Sequence, residues 1–161
     1  MGQTTKNMMK GLLLMLALLM LVAPMATGEN ITVTAEIQTY VSAVFNYNTV
    51  NFGQVAPGST NVPAPNQGAG IYSVSISSNV PLTVSASRTA WTPNDILTLK
   101  FGVSNNPANL APQITLTTSH QNVATISEGQ YTHYHGYWLS VPSNAPAGSY
   151  STTVTITYQP A

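Results

Sequence analysis

His133 and His135 flank Tyr134, and two imidazoles spaced two residues apart share one face of a β-strand, an arrangement able to hold a metal ion. A metal centre needs a third ligand, and only His120, Glu128 or Asp95 offers a suitable one, each from a distance. Beside the Gly129-Gln130-Tyr131 turn, the pair reads as hydrogen-bonding aromatics rather than as ligands, and no metal or other cofactor is expected. Serine, histidine and acid side chains are all present. No Gly-x-Ser-x-Gly elbow exposes a nucleophile, so the chain is not expected to be an enzyme. Asn30-Ile31-Thr32 is the one N-glycosylation sequon, which places a possible glycan at Asn30. Tyr131, Tyr134, Tyr137 and Trp138 fall close together and could stack on a sugar ring, but burial at the end of a sandwich is the better account of them.

The elements that carry these residues are strands. In residues 31–47, Ile31, Val33, Ala35, Ile37, Thr39, Val41, Ala43, Phe45 and Tyr47 share one face, and Thr32, Thr34, Glu36, Gln38, Ser42, Asn46 and Asn48 continue the other. This period of two marks a half-buried strand. At ~3.3 Å per residue such a strand extends over ~56 Å, about three times the usual length. A small domain has no means of covering that much apolar edge alone. Its surplus, with Ile31, Val33, Ala35 and Ile37 sized as a row of plugs, is suited to completing a neighbour's sheet.

Residues 1–28 read as a signal peptide. Lys6 and Lys10 form a positive start, residues 12–22 an apolar run, and Ala26 and Gly28 supply the small side chains before a cut between Gly28 and Glu29. The apolar run is shorter than the ~20 residues a membrane span needs, so no membrane anchor is expected after processing. Lys10-Gly11 ahead of a Leu/Met run also fits a type IV prepilin site, which would retain the apolar helix; Pro24 and the strand pattern from Ile31 oppose it.

Cleavage leaves 133 of the 161 residues with Arg88 and Lys100 against Glu29, Glu36, Asp95 and Glu128, a net charge of −2. Two scattered cations cannot neutralise a run of phosphates, which excludes nucleic acid as a partner. So sparse a charge also leaves little repulsion between copies. Polarity comes from 33 serines and threonines, and cysteine is absent, so stability must come from the core or from contacts between subunits.

Pro and Gly interrupt the sequence about every ten residues, and no apolar stripe of helical period is present. Alternation predicts strands around residues 50–55, 72–76, 80–86, 97–103, 114–116, 123–126, 137–141 and 150–158, with Gly53 a bulge. The expectation is an all-β, jelly-roll-like sandwich of eight to nine strands. It divides into a signal peptide (1–28), a donor strand (29–38) and one β-sandwich domain (39–161).

The overlong first strand, the segment Val50-Asn51-Phe52-Gly53-Gln54-Val55-Ala56-Pro57-Gly58 and the hairpin Val141-Pro142-Ser143-Asn144-Ala145-Pro146-Ala147-Gly148-Ser149-Tyr150 together give a pattern that resembles archaeal bundling pili and threads. Those are similar in turn to the TasA family of bacterial biofilm fibre proteins. The resemblance implies a secreted jelly-roll subunit that polymerises by donor-strand complementation into extracellular fibres, which then pack side by side. It places the donor within residues 29–38 and the acceptor groove in the preceding or following subunit. Some relatives bind calcium, for which this carboxylate-poor sequence offers little. The competing expectation is a monomeric secreted sandwich that binds carbohydrate or a cell-surface partner.

Overall fold

A computed structural model describes residues 32–161; Gly28, Glu29, Asn30 and Ile31, and with them the expected cleavage point and sequon, lie outside the described residues. Residues Ile37–Ala161 form one compact unit, and residues 32–36 belong to a separate one.

The compact unit is an antiparallel β-sandwich, as the alternation predicts. Its strands are β1 (Val41–Phe45), β2 (Val62–Pro63), β3 (Ser73–Ser78), β4 (Leu82–Arg88), β5 (Thr98–Ser104), β6 (Ile114–Thr115), β7 (Gln121–Ile126), β8 (Gly129–Ser140) and β9 (Val154–Pro160). The larger sheet runs β1-β3-β8-β5-β6, with β2 also paired to β8; the smaller runs β7-β4-β9. Two 3-10 turns, at Gln67–Ala69 and Pro107–Asn109, are the helical elements among the described residues, and none is long enough to cross a membrane.

Period-two patterning explains the layers. In β4, Leu82, Val84 and Ala86 are completely buried between the sheets, while Thr83, Ser85 and Ser87 alternate with them. In β5, Leu99, Phe101 and Val103 supply the opposite wall. Gly102 lies where the chain of residue 111 crosses, and a Cβ there would fall well inside contact distance of the Ala111 carbonyl oxygen.

Register gives the molecule two poles. Val41 pairs with Ser78, Ser78 with Gly129, and Leu82 with both Ile126 and Pro160, which defines the first pole. Thr98 pairs with Ser140 and Arg88 with Val154 at the second. β1 runs from the first pole towards the second, and β9 runs the opposite way.

Three expectations are corrected. Of the long strand expected over residues 31–47, the described residues form a strand only at Val41–Phe45, and residues 32–40 are exposed and carry no ladder of their own. Residues 50–55 are not a strand: Asn51 Oδ1 accepts the Gly53 N–H at 2.8 Å, and Gly53 turns at φ 66°, which breaks the extended run. β8 begins at Gly129 rather than Tyr137, because Ser73–Ser78 supplies a ladder for its first half.

Candidate functional site: an open groove beside the last strand

The two sheets are unequal, and the sandwich is open where the smaller one ends. β9 pairs with β4 along one edge and has no strand on its other edge among the described residues. Beside that edge lies a groove of about 1390 Å³. Its walls are residues 151–156 on one side and residues 47–55 on the other, and its floor includes Trp91, Leu97, Leu99, Tyr137, Leu139 and Val141. Val50, Phe52, Val55, Tyr150, Val154 and Ile156 pack on the core from these walls but stay only partly buried. The core is therefore incomplete along this side. One added strand bearing small and medium apolar residues would cover it.

The groove is closed towards the first pole. There the rings of Phe45 and Tyr158 meet edge-on with centroids 6.2 Å apart, and His135 stacks beside Tyr158 at 6.2 Å. It reaches the second pole, where residues 145–151 line it. Trp91 is held at that end: its N–H donates to Asp95 Oδ1 at 3.0 Å, and Arg88 Nη1 reaches the same oxygen at 2.7 Å. These two bonds, the Trp91 N–H first, hold the Asp95 carboxyl below the usual carboxylate range. The buried Trp91 Nε1 has no partner among the described residues.

At the first pole the chain preceding β1 is held by one side chain. Asn79 Oδ1 accepts the Tyr40 N–H at 2.7 Å, Asn79 Nδ2 donates to the Gln38 carbonyl at 2.8 Å, and the Asn79 N–H donates to the Tyr40 carbonyl at 3.2 Å. The amide extends the β1–β3 ladder beyond its last strand pair. Of the expected donor residues, Val33 is 87 % exposed and Ile37 86 %, Ala35 is exposed, and Ile31 falls outside the described residues. Gln38 and Tyr40 are therefore held at the first pole.

The histidine pair proves to be core. Both rings lie on the inner face of β8. His135, completely buried, joins Tyr47 Oη to its Nδ1 at 2.5 Å and Tyr158 Oη to its Nε2 at 2.7 Å, and Tyr47 Oη also meets Tyr137 Oη at 2.6 Å. A neutral imidazole has one donor and one acceptor, so both nitrogens are satisfied. Burial, with His133 adding to it, pushes the His135 pKa down to about 3. Burial likewise lowers His133, and raises Tyr47, Tyr137 and Tyr158 well above the ordinary phenol value. The cluster thus stays uncharged at neutral pH and fastens residue 47 to β9 through β8. Among the described residues no three His, Asp or Glu side chains gather, and His120, Glu128 and Asp95 stand away from the pair.

The aromatic set is divided by the same alternation. Tyr131 and Tyr137 face the core, whereas Tyr134 and Trp138 lie on the outer face, where Trp138 is buried against β2. The four do not form one stacking platform. The groove walls, Trp91, Asn79 and the tyrosine–histidine cluster were not anticipated; each depends on partners far apart in the sequence. No protein-family model and no curated protein matches the chain.

Proposed function

We propose that the protein is a secreted structural subunit that polymerises by lending its N-terminal segment, through donor-strand complementation, to the groove of another copy. The groove beside β9 is the observation that carries this reading: a sandwich one strand short, in a chain whose leader holds Val33, Ala35 and Ile37 exposed. Each large aliphatic buried on insertion contributes about 1.5–3 kcal/mol, and a shared ladder would cover an exposed sheet edge. Donor and acceptor are different surfaces, so the contact is heterologous and propagates into a fibre. The near-absence of charge favours lateral bundling, and the likeness to archaeal bundling pili and the TasA family supports the same extracellular, biofilm-matrix setting.

Electron microscopy of the secreted protein tests the reading. Filaments are expected from the intact chain and none after deletion of residues 29–38. Filaments that persist without those residues, or a stable monomer of the intact chain at high concentration, would overturn it.

A further inference from the structure

We infer that the donated segment lies along the free edge of β9 and runs antiparallel to it, with Val33, Ala35 and Ile37 facing inward beside Val154 and Ile156. This rests on the strand-donation reading and adds the strand it joins and its direction. The closed end of the groove decides the direction. The groove ends between the poles, where Phe45 meets Tyr158, and reaches the second pole at residues 145–151, so the body that donates the segment must sit at the second pole. The C-terminal side of the segment is continuous with Gln38, which Asn79 holds on that donating body. That side therefore lies at the open mouth, and the N-terminal side points towards Tyr158. β9 runs from the mouth towards Tyr158, because Val154 pairs with Arg88 and Pro160 with Leu82. The two strands run in opposite directions.

Length and parity agree. The side of the groove that leads into β9 spans residues 151–156, six residues or about 20 Å if extended, of which Val154 to Ile156 lie in β9; residues 32–37 are of the same length. Val154 and Ile156 pack on the core, so Thr153, Thr155 and Thr157 alternate outward. With Val33 and Ile37 inward, Thr32 and Thr34 would join that outer threonine row, where cross-strand Thr–Thr pairs are favourable.

The chain contains no cysteine, so an introduced pair reports alone. Thr32→Cys and Glu36→Cys are each combined with Ser151→Cys, Thr153→Cys, Thr155→Cys or Thr157→Cys, and oxidised filaments are run on non-reducing gels. Directly opposed residues of an antiparallel pair lie within disulfide reach. The expected result is a ladder of covalent multimers, at least tenfold stronger for the matched pairs. The best partner of residue 32 should lie nearer Tyr158 than the best partner of residue 36. The reverse order would establish a parallel strand and overturn the direction. Normal filaments with no ladder from any pair would overturn the placement on β9 while leaving strand donation intact. Disulfides closing only within one chain, or no filaments from the unaltered protein, would overturn strand donation itself.

Discussion

Replacing Val33 and Ile37 together by serine separates assembly from folding. In the isolated subunit these side chains are 87 % and 86 % exposed, so their loss removes almost no burial, and subunit stability should change by less than about 0.5 kcal/mol. In the fibre both would lie in the groove. Each contributes about 1.5–3 kcal/mol when buried, so the double variant loses about 3–6 kcal/mol per subunit contact. At tenfold per ~1.4 kcal/mol, the critical concentration for assembly should rise by roughly 10²–10⁴. Pelleting at graded protein concentrations reads that threshold, and urea unfolding of the dilute subunit supplies the control. A threshold within threefold of the unaltered protein would refute the reasoning. So would a matching fall in subunit stability, since it would mean that the two residues already serve their own core.

Other consequences concern the sandwich itself. The folded pKa of His135, about 3, lies below the ordinary histidine value, so the unfolded chain takes up the proton first. The His135 contribution is complete above pH ~6.5 and falls by about 1.4 kcal/mol per unit below it, some 3 kcal/mol by pH 4; His133 acts in the same direction. Urea midpoints between pH 7 and 4 should show this slope and a shallower one for His135→Gln; equal slopes would refute it. Gly102→Ala should cost about 3 kcal/mol by forcing a Cβ against the Ala111 carbonyl, visible as a thermal midpoint lowered by several degrees. Asp95→Ala removes acceptors from the Trp91 backbone N–H and Arg88 and should lower the midpoint of the same melt, with most of the loss coming from the backbone bond.

Much of the sandwich was legible because period two is a direct readout of which side chains face a core. β3, β4, β5 and β7 fall where Tyr72 to Ile76, Val80 to Ala86, Leu97 to Val103 and Val123 to Ile126 place them, within a few residues. Alternation does not distinguish a strand that has a partner from one that has none, because both need the same pattern. Residues 31–47 therefore read as one strand although only five are paired. Residues 50–55 misled for a local reason, the Asn51 side chain competing with the ladder for the Gly53 N–H. The histidine pair suggested hydrogen-bonding aromatics, but its partners could not be named from the sequence because they lie far along the chain. Tyr47, 88 residues from His135, and Tyr158, 23 residues away, take both ring nitrogens of that histidine. The groove was invisible because its two walls are separated by about a hundred residues.

The hold of Asn79 on Gln38 and Tyr40 also bears on mechanical load. If the proposed fibre were pulled along its length, force would enter each unit through that leader and pass directly into β1, along the strand axis. The five residue pairs joining β1 to β3 have their hydrogen bonds across that axis, so they are sheared together and cannot be unzipped one at a time. A thread built from such units, without a single covalent crosslink, would yield abruptly rather than creep.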